Sequence, residues 1–169
     1  MARQISLRDF QQGLAQRLRE AQAEAVPTSR LGVQAGSRNW LLKLDDAGEM
    51  LPLPEVSHVP LTKSWYMGLA NIRGVLSSVV DFAAFSGGEQ TVRTPDCRLL
   101  LIAERFQSFS GLAISRMLGL KNVQAMQSVQ DATDRPWIAA AYRDDEGRLW
   151  HELDIGALVA HEDFLHVGA

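Results

Sequence analysis

Gly68-Leu69-Ala70-Asn71-Ile72-Arg73-Gly74, followed by Val75-Leu76-Ser77-Ser78-Val79-Val80-Asp81-Phe82, is the stretch whose reading decides the fold. Gly68 and Gly74 bracket what reads as a compact turn, and the apolar, β-branched run after it reads as a strand. Arg73 stands at the boundary between the two. A guanidinium held on a tight loop presents five donors in a fixed fork, which suits recognition of a carboxylate or carbonyl cluster on a partner. An isolated Arg in a turn more often ties its own loop down through backbone carbonyls, so the local residues alone leave both roles open. Asp81, at the end of the apolar run, is expected to anchor a neighbouring backbone and not to act as an acid or base.

Strands extend outward on both sides of this stretch. Upstream, Leu31 and Val33 alternate before Gly36-Ser37, which turns the chain into Trp40-Leu41-Leu42-Lys43-Leu44 as a first hairpin. The acidic run from Asp45 and the prolines at 52, 54 and 60 read as an extended surface crossing, unfit for a central strand. Downstream, the loop holding Ser86-Gly87-Gly88 and Thr94-Pro95-Asp96 marks a subdomain boundary, and Leu99–Ala103 reads as a strand buried on both faces. Gly111–Leu120 reads as a further strand. Trp137–Tyr142 and Leu149–Asp154 form a terminal hairpin around Asp144-Asp145-Glu146-Gly147, and Asp154 is placed to cap a short last helix. At the other end, residues 6–25 read as an amphipathic helix, with Ser6 and Asp9 as a capping box and Leu7, Phe10, Leu14, Leu18 and Ala21 as one stripe, ended by Pro27. The chain therefore divides into an N-terminal helical extension, 1–28, and a β-rich domain, 29–169.

Composition narrows the function classes. The 169 residues carry a net charge of -3 with a pI near 5.8, and the arginines are scattered, which argues against a general nucleic-acid binder. A single cysteine, Cys97, excludes an internal disulfide and a multi-thiolate zinc site. The opening Met-Ala-Arg-Gln-Ile-Ser lacks the apolar core of a secretory signal, and no run approaches the ~20 apolar residues of a membrane span, so a cytoplasmic protein with no direct membrane insertion is expected. There is no phosphate-binding Gly-rich loop ahead of a Lys-Ser/Thr pair, so nucleotide binding is not expected. His58, His151, His161 and His166 are dispersed and read as solvated, and the Asp144–Glu146 cluster only partly matches a calcium loop. Neither a metal nor a cofactor is implied.

The residues at 65–82 resemble the signature of the CheW family of adaptors. Trp65, Gly68, Asn71, Arg73, Gly74, Val80 and Asp81 stand where that pattern has them, with Phe82 in place of its final Leu. Gly48-Glu49-Met50 is similar to the family's short acidic motif, with Ala47 replacing a leading Val. Gly111–Leu120 resembles its Gly-Leu-Val-Val-Asp strand, with Ser115 in place of the Asp. The form Trp-x-x-Gly-Leu-Ala-Asn-x-Arg-Gly, together with the later Asp144–Asp154 segment, resembles the branch serving type IV pilus and twitching-motility systems. The resemblance spans roughly residues 30 to 167.

It implies a mainly β fold of two intertwined five-stranded SH3-like barrels with an N-terminal and a short C-terminal helix. It further implies a non-enzymatic adaptor that bridges a chemoreceptor's cytoplasmic tip and the regulatory domain of a CheA-type histidine kinase. Asn71 and Arg73 would then shape the receptor-facing loop, with Glu49 close enough to pair with Arg73 or with a receptor Arg, and Gly68 and Gly74 as structural turn residues. Two other readings stand beside it: a kinase-binding regulator of the same fold without receptor contact, and a small enzyme using Cys97 or a carboxylate.

Overall fold

The structure, a computed structural model, describes residues 28–131 and 135–169, so the amphipathic stretch 6–25 lies outside the described residues. Within them the chain is mainly β. Strands β1 (Ser29–Ala35) and β2 (Arg38–Lys43) form the expected first hairpin, with Ala35 opposite Arg38 and Gly36-Ser37 as its two-residue loop. They join β8 (Arg116–Asn122), β9 (Gln127–Val129), β10 (Ile138–Arg143) and β11 (Leu149–Leu153) in a six-stranded sheet of order β8-β1-β2-β11-β10-β9. The second sheet has five strands: β3 (Ala47–Pro52), β4 (Tyr66–Ile72), β5 (Val75–Asp81), β6 (Arg98–Ile102) and β7 (Ser110–Ile114), in the order β3-β6-β7-β5-β4. Three short helices, α1 (Phe82–Phe85), α2 (Ile155–Ala160) and α3 (Glu162–Leu165), complete the described elements of regular length.

Two intertwined barrels of five strands each were expected, and the strand path explains both the agreement and the difference. The six-stranded sheet takes β1 and β2 from one end of the chain and β8–β11 from the other, while the second sheet is formed entirely between them. Each sheet contains one parallel pair, β2 with β11 and β5 with β7, where the chain returns from a long excursion. The sixth strand arises because Gly111–Leu120 is two strands. Ser115 ends β7 in one sheet, and β8 begins in the other at Arg116. Its hydroxyl accepts a hydrogen bond from the Gly36 amide at 3.0 Å, which ties this change of sheet to the first hairpin loop.

Two further readings are corrected. The segment from Asp45 is not a plain surface crossing, because Ala47–Pro52 pairs with β6 as the outermost strand of the second sheet. An edge strand needs hydrogen bonds on one side only, so Pro52 at its end is tolerated. Gly68 is not a turn residue. It sits inside β4 at a register irregularity, with φ +131 and its Cα so near the neighbouring segment that a Cβ would lie 2.0 Å from the Ser57 carbonyl oxygen. That close approach permits the paired hydrogen bonds Ser57 N to Leu69 O (2.8 Å) and Leu69 N to Ser57 O (2.9 Å).

The main core lies between the sheets and is aromatic. Trp40 meets Phe82 edge-on at 4.9 Å between ring centroids, and Phe85 reaches Trp137 at 5.6 Å and Phe164 at 5.5 Å. Trp137, Leu153 and Ile155 seal it from the C-terminal side, where Asp154 caps α2 by accepting from the Ala157 amide at 2.9 Å. A smaller cluster, Ala70, Val79, Leu99 and Ala113, lies within the second sheet, with Leu53, Val56, Met67, Ile72 and Leu101 packed against it. Because Val79 and Val80 are successive strand residues that serve different clusters, the second sheet is covered on both faces.

Candidate functional site

At the end of the β4–β5 hairpin, Ile72 lies opposite Val75 and leaves Arg73-Gly74 as a two-residue loop. Both residues have positive φ, 51° and 85°, the pattern of a type I′ turn whose twist matches that of its strands. Asn71 fixes the loop, since its Oδ1 accepts a hydrogen bond from the Gly74 amide at 2.7 Å. Gly74 meets the demand for left-handed backbone without strain. Arg73 carries a Cβ in that region and is therefore disfavoured there by about 1 kcal/mol.

The Arg73 side chain reaches Glu49, with Nη2 donating to Oε1, and the two remain 72% and 41% exposed. Glu49 belongs to β3 and Arg73 follows β4, the two outermost strands of the second sheet. The ion pair therefore spans the gap between edges that no strand ladder joins among the described residues. Farther along the same gap, the segment after β3 reaches β4 through the backbone pairing of Ser57 with Leu69, and Arg93 Nη2 holds that segment by donating to the carbonyls of Leu53 (2.7 Å) and Pro54 (2.9 Å).

Beneath the ion pair opens a cleft of about 870 Å³, lined by Ile72, Val75, Ser77, Leu101 and Phe109 along with the pair itself. It continues the row of side chains that forms the smaller cluster, so it is the open end of that interior. Phe109 is 70% exposed and Leu76, next to the lining Val75, is 62% exposed. An apolar floor beside a charged, solvent-facing rim is the anatomy of a protein-docking site, where apolar anchors supply affinity and the rim supplies orientation.

The other singled-out residues are structural. Cys97 is buried just before β6, its Sγ accepting from the Thr94 amide at 3.3 Å, a setting that shields a thiol from reaction. Asp81 anchors backbone as expected, accepting from the Ala84 amide at 3.3 Å and from the Thr91 amide and hydroxyl at 2.7 Å each. The reading of His151 as solvated is overturned: it is buried, bonded through Nε2 to Asp131, with its ring 5.3 Å from that of Trp40. Asp131 is remote in sequence, so no local spacing pointed to it. Asp144 does more than shape its turn. Burial pushes its carboxyl up, but hydrogen bonds from Trp150 Nε1 (2.9 Å), Arg148 Nε (2.8 Å) and the Arg148 amide (2.8 Å) outweigh that and lower its pKa to about 2. Among the described residues no group of three or more His, Cys, Asp or Glu could hold a metal ion, and no helix is long and apolar enough to cross a membrane.

The two-sheet β scaffold thus carries an exposed ion pair above a largely apolar cleft, with Cys97 and Asp81 committed to structure. The chain belongs to the family of the CheW-like domain, which it matches over residues 30–163. Members of this family are non-catalytic scaffolds. Protein PilI of Pseudomonas aeruginosa is 28% identical over 153 residues, covering 87% of this chain and 84% of the relative. The crystal structure of the scaffolding protein TtCheW from Thermoanaerobacter tengcongensis aligns with a TM-score of 0.61 at 14% identity, covering 75% of this chain and 88% of that one.

Proposed function

We propose that this scaffold couples the cytoplasmic tip of a chemoreceptor to the regulatory domain of a CheA-type histidine kinase, in a cytoplasmic chemosensory pathway that controls type IV pili and twitching motility. The pilus assignment rests on the similarity to PilI and on the Trp65–Gly74 and Asp144–Asp154 motifs. The observation that carries the recognition role is Arg73 itself. A long cationic side chain occupies a left-handed loop position that Asn or Gly would fill with less strain, and it stays largely exposed while bonded to Glu49. Backbone strain retained at an exposed loop tip supports a role for the side chain in binding. On this reading Arg73 and Glu49 contact the receptor, Asn71 and Gly74 hold the loop in shape, and Gly68 acts from within β4. The scaffold works through a coupling free energy between its two binding sites, with no turnover of its own.

Calorimetric titration of the wild type and Arg73→Glu into a purified receptor tip, and separately into the kinase regulatory domain, tests this. Binding of the wild type to both, with receptor affinity alone falling at least about tenfold in the variant, is expected. Equal loss toward both partners would assign Arg73 a structural role. Binding to the kinase domain only would favour a regulator without receptor contact.

A further inference from the structure

The cleft beneath the Arg73–Glu49 pair has a second rim, formed by the segment that leads from β6 to β7. A single helical turn, Glu104–Phe106, is followed by Gln107 in the left-handed region at φ 52°, its amide donating to the Glu104 carbonyl at 2.8 Å. The chain then reaches β5, where the Phe109 carbonyl accepts from the Ser78 amide at 2.8 Å just ahead of the parallel pairing of β7 with β5. Glu104, Gln107 and Phe109 all line the cleft from this side. Phe109 is therefore an exposed aromatic ring carried on backbone that the sheet holds in place.

The two rims differ in charge. On the first, Arg73 and Glu49 neutralise one another. On the second, Glu104 is exposed and has no ion pair among the described residues. The cation next to it in sequence is committed elsewhere, because Arg105 donates through Nη2 to Asp46 and its guanidinium lies 4.7 Å from the centre of the Phe106 ring. The cleft thus combines an apolar floor of Ile72, Val75 and Leu101 with one aromatic anchor and one carboxylate that lacks a counter-charge.

We propose that this cleft seats an amphipathic helix of the receptor tip, which lays an apolar side chain against Phe109 and a Lys or Arg, about one turn away, against Glu104. The inference rests on the receptor reading of Arg73 and adds to it the chemistry of the partner. Two features select that chemistry. A cavity on the order of 150 Å³ holds one benzene-sized group. The cleft, at about 870 Å³, therefore admits the face of a helix and not one inserted side chain. Covering Glu104 without a counter-charge would desolvate a carboxylate with nothing to offset the cost, so the covering surface must bring a cation. An acidic or wholly apolar partner face is rejected on the same ground.

Calorimetric titration of the full-length wild type, Glu104→Lys, Phe109→Ser and Arg73→Glu into the purified receptor tip tests this, with the kinase regulatory domain titrated in parallel. Glu104 and Phe109 are both exposed, so melting temperatures close to that of the wild type are expected. Receptor affinity should fall at least about tenfold in Glu104→Lys and about fivefold in Phe109→Ser, with kinase affinity unchanged. Each Lys and Arg of the tip is then reversed to Glu in turn, and one reversal should weaken binding to the wild type while restoring binding to Glu104→Lys. If Arg73→Glu loses receptor affinity but Glu104→Lys and Phe109→Ser retain it, the receptor reading stands and the occupant proposed for this cleft is overturned. Failure of every reversal to rescue Glu104→Lys, or an equal loss of kinase affinity, would overturn it as well. A wild type that does not bind the tip would overturn the receptor reading itself, and this inference with it.

Discussion

Two Arg–Glu ion pairs do opposite jobs in this molecule. Arg30 Nε donates to Glu152 Oε1 at 2.6 Å, with the side chains only 13% and 6% exposed, and the Tyr142 hydroxyl donates to the other Glu152 oxygen at 3.1 Å. That group joins β1, β11 and β10 across the first sheet. Arg73 and Glu49 bring the same functional groups together in the open, between the edges of the second sheet. In the low-dielectric setting, removing one partner leaves a desolvated charge behind. At the surface, water and salt replace most of what the partner supplied. The buried pair ties β1 to β11 inside the first sheet, and the exposed pair contributes little to stability. The proposed receptor contact rests on that difference, because a charge that contributes little to the fold is available to a partner.

The largest effect is expected at the buried pair. Glu152→Ala should lower the unfolding free energy by about 3 kcal/mol or more, since it removes the carboxylate that Arg30 and Tyr142 share inside the sheet. Urea denaturation would check this, and a loss below about 1 kcal/mol would erase the contrast drawn between the two pairs. Next comes Gly68→Ala, in the hairpin that carries Arg73. Its Cβ would meet the Ser57 carbonyl at 2.0 Å in a backbone conformation that L-residues avoid, so a loss of at least about 2 kcal/mol is expected. The hairpin's body then behaves as core while its tip does not.

A smaller effect is expected at Asp144, whose folded pKa of about 2 lies below its ordinary 3.8. A depressed carboxylate contributes stability that is fully present above the unfolded value and is lost as pH falls through the folded one. The deficit in melting temperature of Asp144→Asn relative to wild type should therefore be constant above about pH 5 and shrink as pH falls from 4 toward 2. A deficit that stays constant down to pH 2 would show that the carboxylate's charge is not what Trp150 and Arg148 require.

Much of the architecture was legible from turn chemistry. Gly36-Ser37 and Asp144–Gly147 announced their hairpins, and Asp154 announced the start of α2, because each acts on residues a few positions away. Long-range partners left no such trace. The strand Ala47–Pro52 was hidden by acidic residues and a proline that are tolerable only at a sheet edge, and β7 and β8 merged because their break at Ser115 is a change of sheet within a continuous apolar run. Gly68 read as a turn because glycine signals backbone freedom without saying whether a bend or a neighbouring strand demands it. His151 read as solvated because Asp131 is remote in sequence. At the proposed recognition site, Arg73 and Gly74 were visible locally, but Glu49 was singled out only through the family resemblance, since 24 positions separate it from Arg73.

The most direct measurement sets stability against recognition in a single variant, Arg73→Asn. Asn accepts the left-handed loop position more readily and gives up only an exposed ion pair, so thermal unfolding should match the wild type to within about 0.5 kcal/mol, while affinity for the receptor tip falls at least about tenfold. A variant that unfolds well below the wild type, or that binds the receptor tip as tightly, would contradict the assignment of Arg73 to recognition.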